Sequence, residues 1–275
     1  MKKHLLFPLL AVIGGICGAA LRFLQNRFGF EPATGLPIPG DPYAFLLPGL
    51  LLLTTALAVL LCMRLPRASR SSTALFADYF STRSTAAVTI IVAGMFLWCL
   101  SGAAGVIGGG AQYTVTTDGL YYPVSAAVQK TELLLAVALI ASALCIFPAA
   151  AVRRFKTLSY TGNLLLVPVV CLILRLTLSF REMSINASQQ SYYVELLAMV
   201  LLALSLFRLS SFAFQDGNTR RFALYSVMST VLCITALADA TTLGDRLFYG
   251  GGACLTAGFL LFRLSSEAAA QAPQE

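Results

Sequence analysis

The stretch Leu133-Leu134-Leu135-Ala136-Val137-Ala138-Leu139-Ile140-Ala141-Ser142-Ala143-Leu144-Cys145-Ile146-Phe147-Pro148-Ala149-Ala150-Ala151-Val152, closed at once by Arg153-Arg154-Phe155-Lys156, decides the fold class. Twenty uncharged residues in an α-helix rise about 30 Å, the thickness of a bilayer's hydrocarbon core. In that medium each backbone N–H and C=O needs a partner, and a helix supplies them all from within one segment. A membrane β-barrel would instead show alternating segments of roughly ten residues. The basic cluster at the end marks a cytoplasmic boundary.

Similar runs lie on either side. The expected spans are Leu5–Leu21, Ala44–Met63, Ala86–Ile107, Leu133–Val152, Leu158–Leu178, Tyr192–Leu209, Phe222–Ala240 and Leu247–Phe262. The last is the shortest and contains Gly250-Gly251-Gly252, which makes it the weakest of the eight. The chain therefore reads as all-α, a polytopic transmembrane helical bundle forming a single integral membrane domain over residues 1–275, with both termini cytoplasmic. Composition agrees: 58% of residues are hydrophobic and 11% charged, where a soluble domain carries about 25% charged residues.

Charge orients the bundle. With the N-terminus inside, the inner segments hold thirteen basic and four acidic residues, a balance of +9, and the outer segments hold six and eight, a balance of −2. The net +7 thus follows loop parity, as the positive-inside rule requires, and does not point to a nucleic-acid partner. The membrane expected is a bacterial plasma membrane, with the lipid bilayer as first partner and a membrane protein or a second copy of the chain as further candidates. Met1-Lys2-Lys3-His4 and the apolar run after it have the form of a signal peptide. Length and parity favour a retained span.

The first outer loop, Phe30-Glu31-Pro32-Ala33-Thr34-Gly35-Leu36-Pro37-Ile38-Pro39-Gly40-Asp41-Pro42, holds four prolines and two glycines. That content excludes a helix and favours a stiff extended or turning path packed on the bundle. The loop, together with Phe214-Gln215-Asp216-Gly217-Asn218 further on, resembles a group of multipass membrane proteins of Gram-positive bacteria for which no activity is established. The resemblance covers about a tenth of the chain and implies a multipass architecture, with no mechanism attached. In the first inner loop Leu75, Phe76, Tyr79 and Phe80 share one face, which suggests either a short helix in the cytoplasmic interface or a plain linker.

Leu206-Phe207-Arg208-Leu209-Ser210-Ser211 recurs as Leu261-Phe262-Arg263-Leu264-Ser265-Ser266, and Cys62-Met63-Arg64-Leu65-Pro66 echoes it. Each closes a span running inward. An arginine there meets the negative end of the helix dipole and snorkels to the headgroups, a stop signal that needs no duplicated ancestor. Gly14 with Gly18, and Gly105 with Gly109, have the spacing that lets helices approach closely. Pro48, Pro148 and Pro168 should bend their spans.

Ionisable residues inside a membrane are costly and mark function, yet the centres of all eight spans hold only hydroxyls such as Thr54, Ser142, Ser205 and Thr230. That suits neither a proton-coupled transporter nor an intramembrane protease. Walker, GxSxG, HExxH and GxGxxG motifs are absent, the seven cysteines form no CxxC pair, and His4 is the lone histidine, so no cofactor and no metal are expected. The cysteines read mostly as small buried apolar groups.

Chemistry is confined to the outer rim. Arg175 lies within the fifth span; Glu132 opens the fourth, Glu195 the sixth, Asp239 ends the seventh and Arg22 closes the first. Tyr192 and Tyr193, with Tyr113, Tyr121 and Tyr122, could cap them. One reading is an outward-facing pocket for a small polar or amphipathic ligand, with Arg175 paired to Glu195 in preference to Glu132 or Asp239. The other is interfacial anchoring, with arginines snorkelling and tyrosines forming the aromatic belt. Functionally, a non-catalytic membrane component (a sensor, assembly factor or subunit) is expected. A facilitator of a small neutral or apolar solute is the alternative, and a lipid-modifying enzyme acting through Glu132, Glu195 or Asp239 a third, more distant reading.

Overall fold

The computed structural model describes residues 5–31, 38, 42–65, 76–80, 84–108, 113–115, 121–123, 126–151, 161–183 and 193–270. Its helices are α1 (Leu6–Phe28), α2 (Tyr43–Met63), α3 (Phe76–Tyr79), α4 (Thr85–Gly108), α5 (Ala126–Ala150), α6 (Thr161–Met183), α7 (Tyr193–Ser211), α8 (Thr219–Ala236) and α9 (Leu243–Ala270). Between α4 and α5 the strands β1 (Tyr113–Val115) and β2 (Tyr121–Pro123) pair antiparallel, with Thr114 opposite Tyr122. The eight long helices form the expected polytopic bundle. We call the end where α1 finishes the distal end and the other the basic end.

Seven of the eight long helices are long and apolar enough to cross a membrane, where the sequence suggests eight. The exception is α8, expected as the span Phe222–Ala240. It opens with Arg220-Arg221 and stops at Ala236, after which Leu237–Asp239 form turns. The cause is position: α8 is packed against α1, α2, α7 and α9. A helix enclosed by protein does not have to satisfy lipid, so it tolerates hydroxyls that meet partners. Ser226 lies 2.9 Å from Ser205, Thr230 2.9 Å from Thr256, and Thr235 donates to the Val231 carbonyl.

Small residues set the closest crossings. A β-carbon on Gly14 would meet Thr54 at 3.0 Å and Val231 at 3.3 Å, and one on Gly15 would meet Ile234 at 2.7 Å, so the glycine face of α1 lies flat on α8 and α2. Gly102 and Gly105 do the same for α4 on α5; Gly109 lies outside the described residues. The glycine triplet that weakened the last span is instead a packing surface. α9 is one continuous helix, and Gly251 faces Trp98 and the Gly94 carbonyl across the α4–α9 contact, the most extensive in the bundle. There the Trp98 indole N–H donates to the Phe248 carbonyl at 3.0 Å, and the two rings stack 5.8 Å apart. The helices run unbroken through Pro48, Pro148 and Pro168.

The basic end departs from the sequence reading in two places. α3 is the short helix of one of the two readings of this loop, but its apolar face is turned into the protein: Phe76 and Phe80 are buried, and Phe80 packs edge-on against Phe212 and Phe259. Arg263 does not snorkel. It is 7% exposed, donates to the Tyr79 carbonyl (2.8 Å) and to Thr219 Oγ1 (3.0 and 3.2 Å), and pairs with Glu267 at 2.8 Å. The α3 turn folded over α9 supplies the acceptor that headgroups would otherwise provide. Arg64, at the end of α2, is exposed as expected. The thiols divide: Cys62, Cys171 and Cys233 are buried, whereas Cys17 is exposed.

Candidate functional site

Two polar groupings occupy the distal end. In the first, α1 runs six residues past Arg22 instead of ending there, so Arg22 is carried into protein and is fully buried. Its Nε–H donates to both carboxylate oxygens of Asp239, and Nη1 donates to Gln25 Oε1 at 2.8 Å. Asn26 donates to the same carboxylate at 2.7 Å. The Tyr193 and Phe30 rings flank the guanidinium at 5.3 and 5.9 Å. A buried arginine needs such a set, because an unpaired guanidinium in low dielectric is costly. Arg22 and Asp239 are thus turned on each other, clamping α1 to the turn after α8. Ile38, the one described residue between Glu31 and Pro42, donates its N–H to the Gly29 carbonyl at 3.0 Å. The packing expected of the rest of that loop lies outside the described residues.

In the second grouping Arg175 pairs with Asp245 at 3.0 Å, and its guanidinium lies 4.1 Å from the centroid of Phe248. This corrects the expected Arg175–Glu195 pair, and Asp239, one of the two alternatives, is held by Arg22 instead. α7 does pack beside α6, as the connection between them suggests. Adjacency of helices does not fix side-chain direction, however, and among the described residues Glu195 makes no ion pair. It is half-buried in the first turn of α7, within the joint field of Asp239, Asp245, Arg175 and Arg22. Asp245 prevails because a helix cap presents it. Thr242 donates from Oγ1 to its carboxylate at 2.6 Å, and the Asp245 N–H donates back to Thr242 Oγ1 at 3.1 Å. The sequence signal for this was Thr242-Leu243-Gly244-Asp245, a Thr-x-x-Asp capping pattern.

Beside this pair opens a cavity of about 430 Å3. Its walls are the last two turns of α4 (Ser101 to Gly108), the second to fourth turns of α5 (Glu132, Leu135, Ala136, Leu139), Arg175 of α6, and Thr242 to Asp245 at the start of α9. Arg175 and Glu132, both singled out from the sequence, therefore share one cavity. Arg22, Asp239, Glu195 and Tyr193 do not line it, and Tyr192 lies outside the described residues. Ser101 and Gly108 are seven steps of about 1.5 Å apart, so the walls extend about 10 Å along the helix axis. The charged groups sit with Thr242 at the mouth; Leu139 and Ser101 lie deepest, where Ser101 Oγ donates to the Gly244 carbonyl at 2.7 Å. A guanidinium, two carboxylates and a hydroxyl above an apolar floor can orient a small molecule by its polar end. Among the described residues no three His, Cys, Asp or Glu side chains gather closely enough to hold a metal ion.

Fold and site together define a polytopic α-helical integral membrane protein with a charged cavity at one end. No family model, curated protein or solved structure matches the chain.

Proposed function

We propose that the chain is a non-catalytic component of a bacterial plasma membrane, with both termini cytoplasmic, whose distal cavity receives a small amphipathic molecule from outside. The carrying observation is the cavity itself, about 430 Å3 with Arg175, Asp245 and Glu132 at the mouth and Leu135, Ala136 and Leu139 below. That volume is within the roughly 300–1,000 Å3 usual for small-molecule sites, which combine an apolar lining with a few placed polar groups. Many buried hydroxyls are committed to backbone carbonyls or to one another, as in Ser142 to Ala138 and Thr256 to Gly252, which supports the non-catalytic reading; Ser229 Oγ is an exception. Signalling to a membrane-protein partner or a second copy is the role such a component would serve.

Equilibrium binding to the purified protein in lipid nanodiscs tests this, using short-chain amphiphiles of positive, neutral and negative head charge. Saturable one-site binding of any of them, with no transmembrane flux in proteoliposomes, is the expected result. Flux that saturates at the same concentration would replace the component with a facilitator, and absence of saturable binding across the panel would remove the cavity as a ligand site.

A further inference from the structure

At the basic end, independently of the distal cavity, we infer that the α7–α8 seam binds the phosphate of an anionic phospholipid through Arg208 and Arg221, with Tyr225 between them and the acyl chains along the outer face of α7. Arg208 and Arg263 hold the same place in the repeated Leu-Phe-Arg-Leu-Ser-Ser, yet their surroundings differ. Arg263 meets Tyr79, Thr219 and Glu267. Arg208 meets only rings, those of Phe207 and Tyr225, each 5.9 Å from its guanidinium carbon. None of its N–H groups has an acceptor among the described residues, and Nε is buried in that state. A covered donor without an acceptor is costly, the more so on a charged group. The two Nη groups also lack acceptors but keep accessible surface on a half-buried side chain. Such a fork matches a phosphate, whose oxygens accept two of its N–H groups at once.

Arg221 adds a second charge. It stands one turn before Tyr225 on α8, a spacing that puts both side chains on one face, and it is exposed. α7 and α8 pack side by side, with Ser205 against Ser226. Arg208 lies three residues before the end of α7 and Arg221 two after the start of α8, so both sit within one turn of the basic end. Acids do not neutralise them. Glu267 holds Arg263, and among the described residues neither Arg208 nor Arg221 has an ion pair. Asn218 already caps the first amides of α8, so that helix end adds positive field and no contact of its own. Leu197, Leu204 and Phe207 are exposed on α7, and Leu204 precedes Arg208 by one turn on the same face. Carbon surface beside the guanidinium favours a phosphate that carries chains over a free one, and basic clusters at the ends of transmembrane helices are suited to anionic headgroups.

The experiment is a Tm titration of the full chain in neutral detergent, since a ligand of the native state raises Tm. The probes are phosphatidylglycerol, phosphatidylcholine with the same acyl chains, and inorganic phosphate. Phosphatidylglycerol should raise Tm saturably, phosphatidylcholine should need at least about tenfold more lipid, and phosphate at the same concentrations should do nothing. Arg208→Gln and Arg221→Gln should each weaken phosphatidylglycerol by about fivefold and leave phosphatidylcholine unchanged. Arg27→Gln, exposed at the distal end, removes the same charge and should leave the phosphatidylglycerol curve unchanged. If Arg208→Gln does not fold, Arg221→Gln carries the comparison, because its side chain is exposed. Equal curves for the two lipids would overturn the site and leave plain interfacial anchoring. An equal shift with phosphate would overturn the lipid assignment in favour of a free anion. Equal weakening in Arg221→Gln and Arg27→Gln would overturn it in favour of diffuse charge. None of these residues lines the distal cavity, so each outcome leaves that reading untouched.

Discussion

Arg22 and Asp239, 217 residues apart, are joined by one N–H shared between two carboxylate oxygens at 2.8 and 2.9 Å, with the arginine fully buried and the aspartate side chain 7% exposed. The pair ties the end of α1 to the turn that follows α8. Removing either partner leaves a charge stranded in a site sealed by Tyr193 and Phe30. Arg22→Met and Asp239→Asn should each lower stability by roughly 3–5 kcal/mol, and the double variant by less than their sum. Thermal unfolding in detergent measures this. Strictly additive losses would show that the two groups are not coupled.

The α4–α9 crossing gives a second expectation. A β-carbon on Gly94 would meet the Gly251 carbonyl oxygen and the Leu255 nitrogen, both at 2.9 Å. These are backbone atoms of a long helix and cannot turn aside. Gly94→Ala should therefore cost about 1–3 kcal/mol by overpacking. Gly49→Ala, where nothing lies within 4 Å, should be neutral or stabilising by up to about 1 kcal/mol. Equal effects at the two positions, read as shifts in Tm, would mean that α4 and α9 are not in this contact.

How far the sequence carried can be judged from four residues. Gly14 and Gly18 were legible: the small-residue spacing named a packing face, and that face meets α8 at Val231 and Thr235. Arg175 was half legible. Its depth called for a partner, but the choice of Asp245 over Glu195 depends on where α9 begins and on a cap that turns one carboxylate inward. Arg263 misled, because an arginine at the inner end of a span reads as a snorkelling anchor until α3 is known to fold over it. α8 misled for a related reason: hydropathy measures fitness for lipid, and a helix walled in by four others is under no such demand.

Arg263 supplies the third prediction. With four donated hydrogen bonds and the Tyr79 and Phe212 rings at 5.2 and 5.4 Å, it holds α3, α8 and α9 together. Arg263→Met should cost roughly 3 kcal/mol or more, while Arg64→Ala, exposed at the end of α2, should cost less than about 0.5 kcal/mol. Similar small losses at both would restore the stop-signal reading for Arg263.

Orientation is open to direct labelling. The basic residues are concentrated in the segments expected inside, so cysteine tags placed after Glu275 and within Arg153 to Lys156 should resist a membrane-impermeant reagent in intact cells. Labelling of either tag would place the distal cavity on the cytoplasmic side and change the source of any ligand.

The central claim is that the distal cavity is a ligand site, and plugging it is the most direct measurement. Gly108 lines the cavity, and a β-carbon added there meets nothing within 4 Å, so Gly108→Phe adds bulk at the cavity wall with no clash at its β-carbon. Titration with the short-chain amphiphiles of positive, neutral and negative head charge in nanodiscs should give a saturable response for at least one of them in the unmodified protein. In Gly108→Phe the response should be weakened at least about tenfold or lost, with Tm unchanged. An identical titration curve in the plugged protein would show that the molecule binds elsewhere, and the account of this site would be wrong.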